Sequence, residues 1–238
     1  MKILEVKKIE KTLSKKKVLH WINFTVEAGE IYGFLWPNWA GKTTTMKCIM
    51  WLIEPEAWEI HIFGRDGLTL ESKKKVWFMP ENTYLYKHLT WKEFLEFNWK
   101  FFWLKGEKLD KKVKELLKKV GLENDWNKRL SEYSKWMLQR IWLAQSIINE
   151  PKLLFLDEPM SGLDPIWRKM VKDLLVSLKK EGTTIFFNTH ILADVESICD
   201  RISIINKGHM LVEWKHVKDI KGSLEDFFIE KVTNSTHK

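Results

Sequence analysis

The sequence predicts an α/β fold: a mainly parallel sheet with an α-helical subdomain inserted into it. Two observations carry this. Short apolar runs bounded by turn residues alternate with segments of helical period near both ends of the chain. Between them, about residues 82–149 lose the strand pattern and read as helix.

In chain order, residues 2–10 and 17–35 alternate or run apolar, with Asn23 and Gly29 as punctuation, and predict strands. A helix follows from Lys42 to about Ile53, with Met46, Ile49, Met50 and Ile53 on one face. Residues 59–63 and 76–79 predict short strands. Residues 91–103 are aromatic-rich with helical period. Leu109, Val113, Leu116, Leu117 and Val120 line an amphipathic helix that Gly121 ends. Residues 135–149 give a third helix. The apolar run 153–156 after Pro151 then reads as a buried parallel strand. Ile166, Met170, Leu174 and Leu178 form a helix face. Residues 183–187 and 201–205 predict strands, and 224–230 a last helix. The division is a core of about 1–81 and 150–238, with a helical subdomain of about 82–149, all within one functional unit spanning 1–238.

The 238 residues are 45% apolar and 30% charged, which excludes a disordered chain and allows a real core. No apolar run reaches the about 18 residues of a membrane-spanning helix, and the lysine-rich start lacks the apolar stretch of a secretory signal. Cys48 and Cys199 lie in apolar surroundings, as buried thiols of a reducing compartment do. The net charge of +8 would suit nucleic acid or an anionic membrane, but the lysines come in short runs mixed with Asp and Glu, the pattern of solvated faces.

The strongest motif is Trp36-Pro37-Asn38-Trp39-Ala40-Gly41-Lys42-Thr43, followed by Thr44. It lies between a strand and a helix, the setting of a phosphate-binding loop. There, backbone N–H groups converge on phosphates. Lys42 would meet the β- and γ-phosphates, and the Thr43 hydroxyl would bind Mg²⁺. The strict motif asks for Gly at position 36. The second half is the apolar strand that delivers Asp157 and Glu158 at its C-terminal end, where open α/β sheets bind ligands. Asp157 suits the Mg²⁺ shell, and Glu158 suits a base for the attacking water. Ser161-Gly162-Leu163-Asp164 follows, and Thr189-His190 follows the next strand, where His190 would reach a γ-phosphate.

Taken in this order over nearly the whole length, the motifs resemble the ATP-binding subunits of ABC transporters. Tyr133-Ser134-Lys135-Trp136-Met137 resembles the family's signature, usually LSGGQ, in an exporter-like YSKGM form. Residues 76–89, with Pro80-Glu81, resemble the loop that touches Mg²⁺ and the membrane partner, with Glu81 in place of the usual Gln. The resemblance implies a P-loop NTPase-type, RecA-like core with an added antiparallel β part. It implies ATP and Mg²⁺ as cofactors, with Thr43, Glu81 and Asp157 at the metal. ATP would lie between the loop of one cassette (residues 36–44) and Ser134 and Trp136 of another, in a homodimer or heterodimer. The partner would be an integral membrane transporter subunit at the cytoplasmic face of the cell membrane. No nucleic acid is expected.

The departures are specific. Trp36, Trp39 and Trp136 stand where the family has Gly, and Trp58 and Trp214 look similar. Leu13 stands near the family's adenine-stacking aromatic, a role Trp21 would have to fill. The chain has 14 Trp against 11 Gly, and that pairing suggests that tryptophans replace glycines. Three readings stay open: an ATPase driving a transporter, a non-hydrolysing cassette with a degenerate site, and a soluble cassette ATPase acting on ribosomes or DNA.

Overall fold

The computed structural model describes residues 1–37, 41–81, 85–99, 106–125 and 127–236. Its strands are β1 (Lys2–Leu13), β2 (Lys16–Glu27), β3 (Ile31–Leu35), β4 (Ala57–Ile62), β5 (Arg65–Asp66), β6 (Val76–Met79), β7 (Leu153–Asp157), β8 (Thr184–Asn188), β9 (Arg201–Asn206) and β10 (His209–His216). The helices are α1 (Lys42–Ile49), α2 (Leu70–Lys73), α3 (Trp91–Trp99), α4 (Glu107–Lys119), α5 (Lys135–Ile147), α6 (Pro165–Lys180), α7 (Leu192–Ile198) and α8 (Leu224–Thr236). One sheet runs in the order β5-β4-β1-β2-β10-β9-β3-β8-β7-β6.

The sheet has two characters. β9, β3, β8, β7 and β6 pair in parallel. β3, β7 and β8 are buried along their whole length, as strands covered on both faces must be. β5, β4, β1 and β2 pair antiparallel, and β1 and β2 alternate between buried and open positions. β10 joins the halves, antiparallel to β9 and parallel to β2. α3, α4 and α5 fall between β6 and β7 in the chain, and their apolar faces share one cluster with the sheet core.

The predicted strand 76–79 is β6. The apolar run 17–35 forms β2 and β3, parted where the sequence placed Gly29, which turns the chain at φ 78. The first helix stops at Ile49 rather than Ile53, where Trp51 takes a left-handed φ of 55. β10, α2 and α7 were not predicted. β10 carries His, Glu, Trp and Lys on a half-open strand, so no apolar run announces it. Both cysteines are free and buried. Burial pushes the Cys48 thiol up to about 11.

Candidate functional site

Three strand ends meet at one edge of the sheet. β8 lies between β3 and β7, and Asn188 is in register with both Phe34 and Asp157. The phosphate-loop motif leaves β3, the two carboxylates close β7, and Thr189-His190 follows β8, so all three exit on the same side.

Gly41 starts α1 at φ 93, in the region that favours glycine. A Cβ there would lie 2.7 Å from Leu19 and 3.1 Å from the Val18 carbonyl oxygen. Its carbonyl accepts from the Thr45 hydroxyl at 2.9 Å and from the Thr45 amide at 2.8 Å, which fixes the first turn. Lys42, Thr43 and Thr44 form that turn. Trp36 is buried at 4% exposure, packed on Phe34 within the core cluster of the antiparallel half. The Lys42 ammonium sits 4.3 Å above the Trp36 ring, a cation–π geometry. Pro37 makes a half-buried bend. Asn38, Trp39 and Ala40 lie outside the described residues.

The carboxylates converge on this lysine. Lys42 Nζ donates to Glu158 Oε1 at 3.0 Å and stands 4.0 Å from Glu81. His190 Nδ1 lies 2.8 Å from the same Glu158 oxygen. Thr43 Oγ1 donates to Asp157 Oδ2 at 3.2 Å, and Asn188 Nδ2 donates to Asp157 Oδ1 at 3.3 Å. Glu158 holds φ 53, an uncommon conformation for a side chain of its size, and its amide donates to the Asn188 carbonyl. Strain of this kind gathers at functional sites. Burial raises the Asp157 carboxyl above its ordinary range, opposed by Asn188, Lys42 and Thr43. The structure therefore brings together Lys42, Thr43, Glu81, Asp157, Glu158 and His190. Asn188 belongs with them and was missed. Its only signal was an amide closing an apolar strand.

These residues fit Mg²⁺ and a triphosphate. Two carboxylates, Glu81 and Glu158, face Lys42, and among the described residues Glu158 Oε2 is buried without a hydrogen-bond partner. Lys42 and His190 engage only Oε1, so Oε2 has room for a further donor. A hydroxyl and two carboxylates are the hard oxygen donors that Mg²⁺ takes, and Lys42 is the cation a phosphate needs.

Ser134 and Trp136 stand elsewhere. Ser134 caps α5, accepting from the Met137 amide at 3.3 Å. Trp136 is 40% exposed beside Gly162. Among the described residues neither touches the Lys42 group. Gln139 on α5 donates to the Pro159 carbonyl at 3.3 Å, so one bond ties the signature helix to the turn after Glu158. Asp164 caps α6 through the amides of Ile166 and Trp167.

Residues 19–161 match the sequence model of the family described as ABC transporter. The chain belongs to this family. An uncharacterised ABC transporter ATP-binding protein of Synechocystis is 41% identical over 87% of the chain and 60% of that protein. A second, from Nostoc, is 41% identical over 62% of its own length, so the chain spans about three fifths of these two relatives. The bacitracin transport ATP-binding protein of Bacillus licheniformis is 35% identical over 91% of the chain and 71% of that protein. A solved ATP-binding subunit of an ABC transporter superposes with a TM-score of 0.87 at 29% identity, over 97% of this chain and 99% of that one. The P-loop NTPase fold of the ABC cassette is thus the fold seen here. Among the described residues, no helix is long and apolar enough to cross a membrane.

Proposed function

We propose that this ABC cassette hydrolyses ATP to drive export through a separate integral membrane subunit, from the cytoplasmic face of the cell membrane. The single observation that carries it is the Glu158 carboxylate, buried and shared by Lys42 and His190. Thr43, Asp157 and Glu81 would hold Mg²⁺. Bound Mg²⁺ supplies charge neutralisation at the β- and γ-phosphates. Glu158 accepts the proton of a water whose oxygen attacks the γ-phosphorus, and the ADP oxygen leaves. His190, next to that carboxylate and 56% exposed, stands where it would hold a γ-phosphate oxygen. Ser134 and Trp136 point to a second cassette, homologous or identical, whose loop they would face. The helical segment of about 82–149 would move as one subdomain. Export is favoured by relatives such as the Nod factor export ATP-binding protein of Burkholderia lata, 35% identical over 88% of this chain.

The membrane contact would use Tyr86 and Phe97. Both are exposed, at 52% and 46%, and their rings meet edge-on at 5.8 Å. Trp91, Phe94 and Leu95 instead fill the core, so the aromatic segment divides between packing and surface. Mg-ATP turnover and co-purification with an integral membrane protein test the proposal. Tyr86→Ala with Phe97→Ala should abolish co-purification and leave the thermal transition in place; a complex that survives both changes removes this surface.

A second reading, a cassette that does not hydrolyse ATP, is favoured by one observation: Lys42 lies over the Trp36 indole. ATP that binds without being turned over supports this second reading, and turnover of bound ATP excludes it.

A further inference from the structure

Two tryptophans among the described residues, Trp21 and Trp51, hold the left-handed backbone that favours glycine. Trp51 gives the clearest case. α1 ends with Met50 as its cap, the Trp51 amide donates to the Cys48 carbonyl at 3.1 Å, and the Leu52 amide donates to the Lys47 carbonyl at 2.9 Å. That bond pair is the Schellman motif, and Trp51 holds its left-handed position at φ 55, the place glycine usually takes. Trp21 is the second case, at φ 54 beside a slip in the β1–β2 register. A bulky residue with positive φ is a genuine outlier, and here two tryptophans show it.

The indoles give an independent observation. Among the described residues, the indole nitrogens of Trp51, Trp91 and Trp142 are buried without a hydrogen-bond partner. A buried tryptophan N–H ordinarily finds one. In the proposed function, Trp36 and Trp136 stand in the phosphate loop and the signature helix, where the backbone itself would meet nucleotide. Glycine, at 11 residues, is below its usual share of about 7% while tryptophan reaches 14.

We propose that the protein made in its own cell carries glycine at its tryptophan positions, each decoded from UGA. That codon is read as tryptophan in some genetic codes and as glycine in others. One cause then explains left-handed tryptophans, orphaned indoles, an indole under the phosphate lysine and the scarcity of glycine. It concerns residue identity, so it is separable from the ATPase reading.

Peptide mass spectrometry of the protein purified from its source cell reads positions 51, 136 and 142 directly. Glycine is expected at all three, and tryptophan at any of them overturns the proposal. Two recombinant chains give the second test, one with tryptophan and one with all fourteen changed to glycine. The glycine chain should unfold cooperatively at a higher temperature and bind Mg-ATP at least about tenfold more tightly. A glycine chain that fails to fold overturns the proposal, because Trp91 and Trp142 would then be true core residues. A glycine chain that folds but ignores Mg-ATP upholds the residue assignment and sinks the ATPase reading.

Discussion

The two sides of the nucleotide site are built by different means. The carboxylate side works through side chains. Asp157, Glu158, Asn188 and His190 leave neighbouring strand ends, and each is the residue type its chemistry needs. In the proposed function, the loop and signature side would work through backbone N–H groups, which depend on dihedrals and close approach. There the chain carries Trp36, Trp39 and Trp136. Side-chain chemistry survives bulky neighbours as long as the strand register holds. Backbone chemistry needs residues with little or no side chain, so the same tryptophans that leave the β7 edge intact load the loop with indole.

The largest expected effect breaks the carboxylate side alone. In a chain with glycine at 36, 39 and 136, Glu158→Gln should lower turnover by about 10²–10⁴-fold while ATP binding persists. The amide keeps the shape near Lys42 and loses the base. Phosphate release and ATP titration, measured on one preparation, check this. Unchanged turnover would remove Glu158 from the mechanism.

The next effect belongs to the backbone side. Trp36→Gly with Trp39→Gly should raise Mg-ATP affinity at least about tenfold, roughly 1.4 kcal/mol. Two gains combine in it. Freed from its place above the indole, 4.3 Å away, Lys42 can swing to phosphate, and glycine opens dihedrals to the loop that tryptophan disfavours. Calorimetric titration of both chains decides, and equal tight binding would show that the loop tolerates indoles.

The sequence made these two sides unequally legible. Asp157 and Glu158 close an apolar run, so periodicity alone placed them at a strand end. Lys42 and Thr43 follow Gly41 at the start of α1, where the motif placed a helix after the strand. Asn188 stayed hidden because one amide at the end of an apolar strand carries no motif. β10 stayed hidden because its half-open face mixes polar and apolar residues. Gly29 already punctuated the run 17–35, and β2 and β3 part there. The early stop of α1 at Ile49 was missed because a left-handed tryptophan, which gives no turn signal, sets it.

A smaller effect sharpens the backbone side away from nucleotide. Trp51→Gly alone should stabilise the fold by about 1 kcal/mol, the cost of left-handed backbone in a non-glycine residue. For a chain of this size that is a rise of about 2–4 °C in melting temperature. The lost edge contact with Trp58, whose ring centre lies 4.7 Å away, works against it. Removal of a buried indole N–H without a partner works for it. A fall in melting temperature would show that the Trp51–Trp58 packing outweighs the strained turn.

The smallest effect concerns Asp157 and depends on pH. Burial holds its carboxyl above the ordinary range despite the bonds from Asn188 and Thr43. A folded-state value above the unfolded one means that folding favours the protonated acid. The corresponding stability is complete below the unfolded carboxylate range, and it is lost as pH rises through the raised folded value. Above that raised value, and without Mg²⁺, the native protein carries a charge that the fold disfavours. Asp157→Asn removes that charge and keeps an oxygen to accept from Asn188. It should raise the melting temperature of the metal-free protein at neutral pH, and the gain should shrink toward acid pH, where the native carboxyl is protonated too. With Mg-ATP present the order should reverse, since the asparagine has no charge to offer the cation. Melting curves at several pH values, with and without Mg-ATP, test all three. A gain that stays constant with pH would mean that the variant stabilises by packing, and that the buried charge of Asp157 is already balanced by Lys42.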